Sequence, residues 1–147
     1  MKGARTWVSG IALIAVIALI VIAPGLHAQP AANFHVQMPF DADWGRMALS
    51  TGDYSFSVDH YSANGLIYVY HDNQAVGITH AESFDTTESK SDKVELVCVR
   101  HDGKVSVRSL RLPGAGTFYF SLPKELSNLA AKQPRLLETI TVDVRTN

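Results

Sequence analysis

The sequence predicts an all-β protein, either an antiparallel β-sandwich or a small barrel built from hairpins, with one short C-terminal helix. Apolar and polar residues alternate along most of the chain after Asn33, which is the pattern of half-buried strands. Pairs of turn-forming residues separate these alternating segments. Long helical segments do not alternate with the strands, so a parallel α/β fold is disfavoured.

Residues 1–28 have the layout of a secretory signal peptide. Two basic residues precede an apolar run over residues 7–23, and a Pro-Gly pair ends that run shortly before Ala28. We expect cleavage after Ala28 or, alternatively, retention of residues 7–23 as an anchor in the inner membrane. Both remain open because the length of the run lies between those of signal peptides and membrane spans. In either case residues 29–147 form a single β domain outside the cytoplasm, periplasmic or secreted.

Charge and cysteine content argue against several classes of function. Without Lys2 and Arg5 the 13 basic residues fall to 11, against 14 acidic ones, which gives a net charge of −3. Nucleic-acid binding is not expected, because it requires clustered cations that neutralise phosphates. Cys98 is the only cysteine, so the chain cannot form an internal disulfide. Its apolar strand predicts a buried thiol, and the alternative is an intermolecular disulfide or a reactive thiol.

The first predicted strand is Phe34–Phe40, in which every second residue is apolar. Pro39 has no backbone N–H to donate, so this strand either lies at an edge of the sheet or ends at that point. An edge position would let the strand pair with a partner, including a second copy of the chain.

A three-stranded meander follows, with strands near 53–62, 66–71 and 75–82. Asn64-Gly65 and Asp72-Asn73 tolerate the positive φ angles of two-residue hairpins, so they predict the two turns between these strands. The lengths of the turns fix which residues of neighbouring strands face each other.

A second hairpin pairs residues 93–100 with 104–111 through Asp102-Gly103. The apolar positions of its second strand change parity, which predicts a bulge near Ser109. Another strand follows over residues 118–122.

The C-terminal part predicts the helix and the last strand. Pro123 suits the first helical position, apolar residues follow at helical spacing, and Pro134 would stop the helix. Alternation resumes over residues 140–144, which predicts a final half-buried strand.

Three short motifs resemble a family of small exported β-rich proteins that is common in acidobacteria and has no assigned function. The motifs are Met38-Pro39-Phe40-Asp41, then Leu49-Ser50-Thr51-Gly52-Asp53-Tyr54, and finally Pro113-Gly114 followed by Leu122-Pro123-Lys124. In the second motif the family typically reads Leu-Pro-Ala-Gly-x-Tyr. The resemblance implies export and a compact β domain, and it implies no reaction and no catalytic residue.

The histidines of the meander are the candidates for a metal site. The predicted register places His60, His71 and His80 on the core-facing side, together with Val76 and Ile78. His71 and the position opposite His80 are then roughly 20 Å apart, too far for imidazoles that must lie within about 2.1 Å of one zinc ion. His60 and His71, diagonal neighbours roughly 7–8 Å apart at Cα, remain weak candidates for a metal-binding or hydrolytic site.

Other catalytic patterns are weak. The sequence has neither a Gly-x-Ser-x-Gly elbow nor a glycine-rich phosphate loop. Cys98 and His101 have no evident third partner. Asp41 and Asp43 favour a solvated turn, with a calcium or acid/base site as the alternative. We therefore expect a non-catalytic protein without a cofactor.

The tyrosines of the meander predict a binding surface. The same register places Tyr61 opposite Tyr68, with Tyr70 two residues further on, all on the face opposite the core. Tyrosine combines a large contact area with a polar tip, which suits recognition of a protein or a glycan. Alternatively, another element covers this face. The sequence thus predicts an exported protein that acts by binding or by contributing to the structure of the bacterial envelope.

Overall fold

The computed structural model describes residues 32–87 and 91–146, whose strands form one sheet and confirm the all-β fold class. The strands are β1 (Ala32–Met38), β2 (Ala42–Trp44), β3 (Met47–Leu49), β4 (Gly52–Val58), β5 (Leu66–His71), β6 (Gln74–His80), β7 (Ser83–Asp85), β8 (Val94–His101), β9 (Lys104–Leu112), β10 (Gly116–Tyr119) and β11 (Glu138–Thr146). The predicted signal peptide or anchor lies outside the described residues. Within them, we find no helix with the length and apolar character needed to span a bilayer.

The strand order is β3-β2-β9-β8-β11-β1-β4-β5-β6, and β10 branches from β9 to pair with β7. The strand pairs of the described residues are antiparallel, except for one parallel bridge between β2 and β9. The sheet curls into a nearly closed, barrel-like form in which β3 approaches β6. A Cβ atom on Gly77 of β6 would lie 2.6 Å from the Met47 sulfur of β3. At one end, residues after β6 cross to β10, where the Glu82 N–H donates to the Tyr119 carbonyl at 2.8 Å.

The alternation of apolar residues supplies the interior of this sheet. Along β1, Phe34, Val36 and Met38 are buried while the residues between them are exposed. Trp44 is 1 % exposed, and its indole ring lies nearly perpendicular to two phenyl rings, those of Phe56 and Phe120, at 5.5 and 5.2 Å between centroids. Such edge-to-face contacts add to the burial of apolar surface that stabilises the core.

Strand β1 is an internal strand, so the predicted edge position is wrong. It pairs with β4 from Ala32 to Met38 and with β11 from Phe34 to Val36. Pro39 lies directly after the last residue of β1, which agrees with the alternative that the strand ends there. The backbone of residues 34–36 is therefore already paired on both sides and cannot accept a partner strand.

Two of the three predicted hairpin turns form as expected. Asp72-Asn73 has φ angles of 49° and 62°, and Asp102-Gly103 has φ angles of 49° and 78°. The predicted bulge in β9 is also present, because Arg108 is an extra residue directly before Ser109.

The prediction of a two-residue turn at Asn64-Gly65 is wrong. Strands β4 and β5 are joined by residues 59–65, and Val58 pairs with Ile67 rather than with His71. The loop closes through its own hydrogen bonds, since the Asp59 N–H donates to the Leu66 carbonyl at 3.0 Å. Each residue of β4 thus faces a partner four positions away from the expected one.

A bulge in β6 overturns the expected orientation of that strand. Tyr70 pairs with Ala75 but Val69 pairs with Gly77, so Val76 is an extra residue. A slip of one residue exchanges the two faces of a strand. Ile78 is consequently 59 % exposed while Thr79 is buried, so the prediction that Val76, Ile78 and His80 face the core is wrong.

The C-terminal helix forms where the sequence predicts it. Helix α1 (Lys124–Lys132) begins directly after Pro123, and a 3-10 turn over Pro134–Leu136 leads into β11. Leu126 is the buried residue that α1 contributes.

Candidate binding face

Two of the predicted binding residues lie side by side on the outward side of β5. Tyr68 pairs with Ser57 of β4, and Tyr70 pairs with Ser55. Their neighbours along the strand, Ile67 and Val69, are fully buried, so the alternation of the strand directs both tyrosine rings away from the core. Both rings are half-buried. We call the four outward residues Ser55, Ser57, Tyr68 and Tyr70 the tyrosine face.

Tyr61 is not part of the tyrosine face, which corrects the predicted pairing of Tyr61 with Tyr68. It lies in the loop between β4 and β5 and is 46 % exposed. Its ring centroid is 6.2 Å from that of Phe118, a fully buried residue of β10. Tyr61 therefore covers one end of the core rather than standing opposite Tyr68.

Tyr70 of the tyrosine face forms one side of a trough along β4. Asn33 and His35 of β1 stand opposite Ser57 and Ser55 on the other side of β4. Strands two positions apart in a sheet are about 10 Å apart, so the small serines floor a channel between larger side chains. A cavity of about 330 Å³ occupies the part of this channel around Ser55. Its lining residues are Asn33, His35, Ser55, Phe56, Tyr70 and Asn73. We call this cavity the β4 trough.

The lining of the β4 trough carries no carboxylate, and no Lys or Arg, among the described residues. Asp53 lies two positions before Ser55 on the same outward side of β4 and is exposed. Its Cα is about 7 Å from that of Ser55. An anionic ligand over Ser55 would therefore approach the Asp53 carboxylate without meeting a Lys or Arg of the lining.

The backbone of β4 takes part in the sheet on both sides. Residues Tyr54–Val58 pair with β5, and the same residues pair with β1. Their N–H and C=O groups are used in the ladder, so a ligand in the trough has to be recognised by side chains.

The weak metal candidates His60 and His71 do not come together. His71 pairs with Tyr54, whereas His60 lies beyond Val58, and Tyr54 and Val58 are about 13 Å apart along β4. The His71 ring stacks on Tyr54 with 4.7 Å between centroids, and its Nδ1 is 2.8 Å from the Asp53 carbonyl oxygen. His60 is exposed and lies 3.2 Å from the Asp59 carboxylate. Over residues 32–87 and 91–146, no group of three or more His, Cys, Asp or Glu side chains is placed to hold a metal ion.

Cys98 is buried in the core, as the apolar strand predicts. Burial disfavours the charged thiolate and raises the pKa of the Cys98 thiol to about 12. A thiol in this state is neither a nucleophile nor free to form an intermolecular disulfide while the sheet is intact.

Of the two remaining acidic candidates, Asp41 is hydrogen-bonded within the fold and Asp43 is exposed to solvent. Asp41 Oδ1 accepts hydrogen bonds from the Thr51 N–H at 2.8 Å and from the Thr51 hydroxyl at 3.1 Å, which ties two loops together. Asp43 is an exposed residue of β2. Asp41 therefore lies in an exposed loop, as the sequence favours, whereas the predicted place of Asp43 in a turn is wrong because Asp43 pairs with Ala48 of β3.

A second, broader depression of about 1180 Å³ runs along β1 and β11. These strands pair only as far as Val36 and Val144 and then diverge. Charges of both signs border it, including Lys93 and Asp143, whose charged atoms are 3.6 Å apart. Lys93 and Asp143 are thus paired with each other across neighbouring strands.

Comparison with known protein families, with curated proteins and with solved structures gave no significant match. The function of the chain is therefore argued from the tyrosine face and the β4 trough.

Proposed function

We propose that this chain is an exported, non-catalytic binding protein of the bacterial envelope, and that the tyrosine face on β4 and β5 is its ligand-binding surface. The observation that carries the proposal is the placement of Tyr68 and Tyr70. Both are large aromatic residues on regular strands, and both point outward over a floor of serines.

The core does not explain the two tyrosines. The inward positions of β5 supply Ile67 and Val69, which are fully buried and already fill the interior at this point. Aromatic residues with a polar tip are enriched where proteins bind partners. A site on regular strands is also held rigidly, so little conformational entropy is lost on binding.

Export is the second part of the proposal. It is supported by the basic residues, the apolar run over residues 7–23 and Ala28 before the expected cut. The resemblance to small exported β-rich proteins of acidobacteria agrees with it. The mature protein is then soluble outside the cytoplasm, or it is held at the inner membrane by residues 7–23.

Intact-mass measurement after fractionation of the bacterial host tests export. Expression of the full chain should give an extracytoplasmic protein with the mass of residues 29–147, or the uncleaved mass in the membrane fraction. Recovery of the uncleaved chain in the cytoplasmic fraction of a secretion-competent host would contradict export.

A binding screen with a matched variant tests the recognition surface. The full-length protein and the double variant Tyr68→Ser/Tyr70→Ser are tested against immobilised peptidoglycan, envelope polysaccharides and solubilised envelope proteins. We expect at least one of these to retain the wild type and to lose the variant. Equal retention of both proteins on every ligand would contradict the proposal.

A second candidate function is structural, by assembly of copies within the envelope. It is favoured by the exposed apolar residues of β6, where Val76 is 41 % and Ile78 is 59 % exposed on the last strand of the sheet order. Sedimentation of the wild type and of Ile78→Thr tests it. A homo-oligomer that dissociates in the variant is expected, and a wild-type monomer at high concentration would exclude it.

A further inference from the structure

We infer that the β4 trough binds a neutral saccharide, with a sugar ring lying over Ser55 and against Tyr70. This inference rests on the proposed function, because it names the ligand class of the same surface. It follows from the size of the trough, from the side chains and charges around it, and from the pairing of the β4 backbone on both sides.

The two sides of the trough differ in the way that a sugar ring requires. Tyr70 offers an aromatic surface on one side, while Asn33 and His35 offer hydrogen-bonding groups on the other. A pyranose ring has an apolar face of C–H groups and a rim of hydroxyl groups. The C–H face suits the electron-rich surface of the tyrosine ring, and the hydroxyl groups suit amide, imidazole and serine partners.

The size of the trough agrees with this ligand. Its volume of about 330 Å³ is near the lower end of small-molecule sites. The space suits one or two rings of a longer chain. Ser55 is small enough to let a ring approach the sheet, and its hydroxyl group both donates and accepts hydrogen bonds.

An extended peptide is a poorer fit. Peptides that add to a sheet pair with a free strand edge, but β4 is paired with β1 and β5 over residues 54–58. The trough therefore offers a peptide no main-chain ladder, whereas saccharide recognition needs side chains alone.

The charges favour a neutral saccharide over an acidic one. Asp53 lies two positions before Ser55 on the same outward side of β4, and the lining of the trough includes no Lys or Arg among the described residues. Arg145 pairs with His35, but it stands on the far side of His35 from Ser55. Uronate or phosphate groups would thus be repelled by Asp53, with no Lys or Arg of the lining to hold them.

Calorimetry with defined oligosaccharides tests the inference on the full-length protein. The probes are cellohexaose, maltohexaose and chitohexaose, with hexagalacturonate as the acidic counterpart. We expect at least one neutral probe to bind, and hexagalacturonate to bind at least about tenfold more weakly at low salt.

Four variants locate the binding. Tyr70→Ala should raise the Kd about tenfold or more, while Tyr70→Phe, which keeps the ring, should raise it by less than about threefold. Ser55→Phe fills the floor of the trough and should abolish binding. Tyr119→Ala is the matched control, because Tyr119 is an exposed tyrosine of β10 outside the trough and its loss should leave the Kd unchanged. Far-UV circular dichroism and thermal unfolding verify that each variant is folded.

The outcomes separate the saccharide inference from the proposed function. Suppose that no saccharide binds, while an envelope macromolecule is retained in a manner that depends on Tyr68 and Tyr70. The saccharide inference is then overturned and the proposed function stands. Saccharide binding that folded Tyr70→Ala and Ser55→Phe leave intact overturns the placement in the trough. If no ligand of any class depends on the tyrosine face, both proposals are overturned.

Discussion

The buried thiol of Cys98 predicts how the stability of the fold depends on alkaline pH. Burial raises its pKa from 9.0 to about 12, so in the folded protein the thiol stays neutral well above the pH at which it ionises in the unfolded chain. The contribution of the neutral thiol to stability is therefore fully present below about pH 9 and is lost as the pH rises towards 12.

The magnitude follows from these two values. At pH 10 the unfolded thiol is about nine-tenths ionised and the folded one is not, which favours unfolding by about 1.4 kcal/mol. Replacing Cys98 by alanine removes this pH dependence, but it leaves a small cavity that lowers the free energy of unfolding by about 1 kcal/mol. The wild type should thus be the more stable protein at pH 7, and Cys98→Ala should equal or exceed it at pH 10.

Urea unfolding followed by far-UV circular dichroism measures both proteins at both pH values, with a reducing agent present. Ionisation of tyrosines and lysines affects the two proteins alike, so it cancels in the difference between them. If both lose the same free energy of unfolding between pH 7 and pH 10, the reasoning about the buried thiol is refuted. A thiol reagent should also leave the native protein unmodified and should react once it is unfolded.

Two further predictions concern loops that position the strands. Gly65→Ala should destabilise the protein by at least about 2 kcal/mol in urea unfolding, because its Cβ would contact the His60 carbonyl oxygen. Gly103→Asn should lower the free energy of unfolding by less than about 0.5 kcal/mol, because the space around Gly103 is open and asparagine tolerates a positive φ. A similar loss of stability in both variants would contradict the steric argument. Asp41→Ala should lower the free energy of unfolding by about 1 kcal/mol, because Thr51 loses its acceptor. Asp41→Asn should retain most of that stability, and an equal loss in the two Asp41 variants would argue against the hydrogen bonds.

The hairpin turns illustrate how far residue pairs predict register. Asp72-Asn73 and Asp102-Gly103 form tight turns, whereas Asn64-Gly65, with similar turn chemistry, does not. The difference lies in hydrogen bonds that the dipeptide does not encode. The Gly65 N–H donates to the Ser62 carbonyl at 2.9 Å, within a loop that begins at residue 59.

The outward orientation of Tyr68 and Tyr70 was predictable in spite of that error. The actual pairing of β4 with β5 differs from the expected one by four residues, and an even slip leaves every side chain on its own face. On β6, by contrast, the bulge at Val76 shifts the register by one residue and moves Ile78 to the outside. Alternation thus predicts faces reliably until a bulge intervenes.

The β4 trough was beyond the reach of sequence reasoning. Its tyrosine side follows from the alternation of β5, but its other side comes from Asn33 and His35 of β1. β1 pairs with β4 across the intervening β2-β3 hairpin, and no turn signal in the sequence links them. The pairing is decided by which apolar faces share the interior, which is a property of the assembled sheet.

The pairing of β1 with β11 has a consequence for the order of folding. Phe34 and Thr146 are partners although most of the domain separates them along the chain, and β11 also completes the pairing of β8. During synthesis, β1 and β8 therefore each keep one edge unpaired until the last strand has been made. Such distant pairing slows folding and exposes strand edges to aggregation. It also delays the compact state until the last strand of the domain has been synthesised.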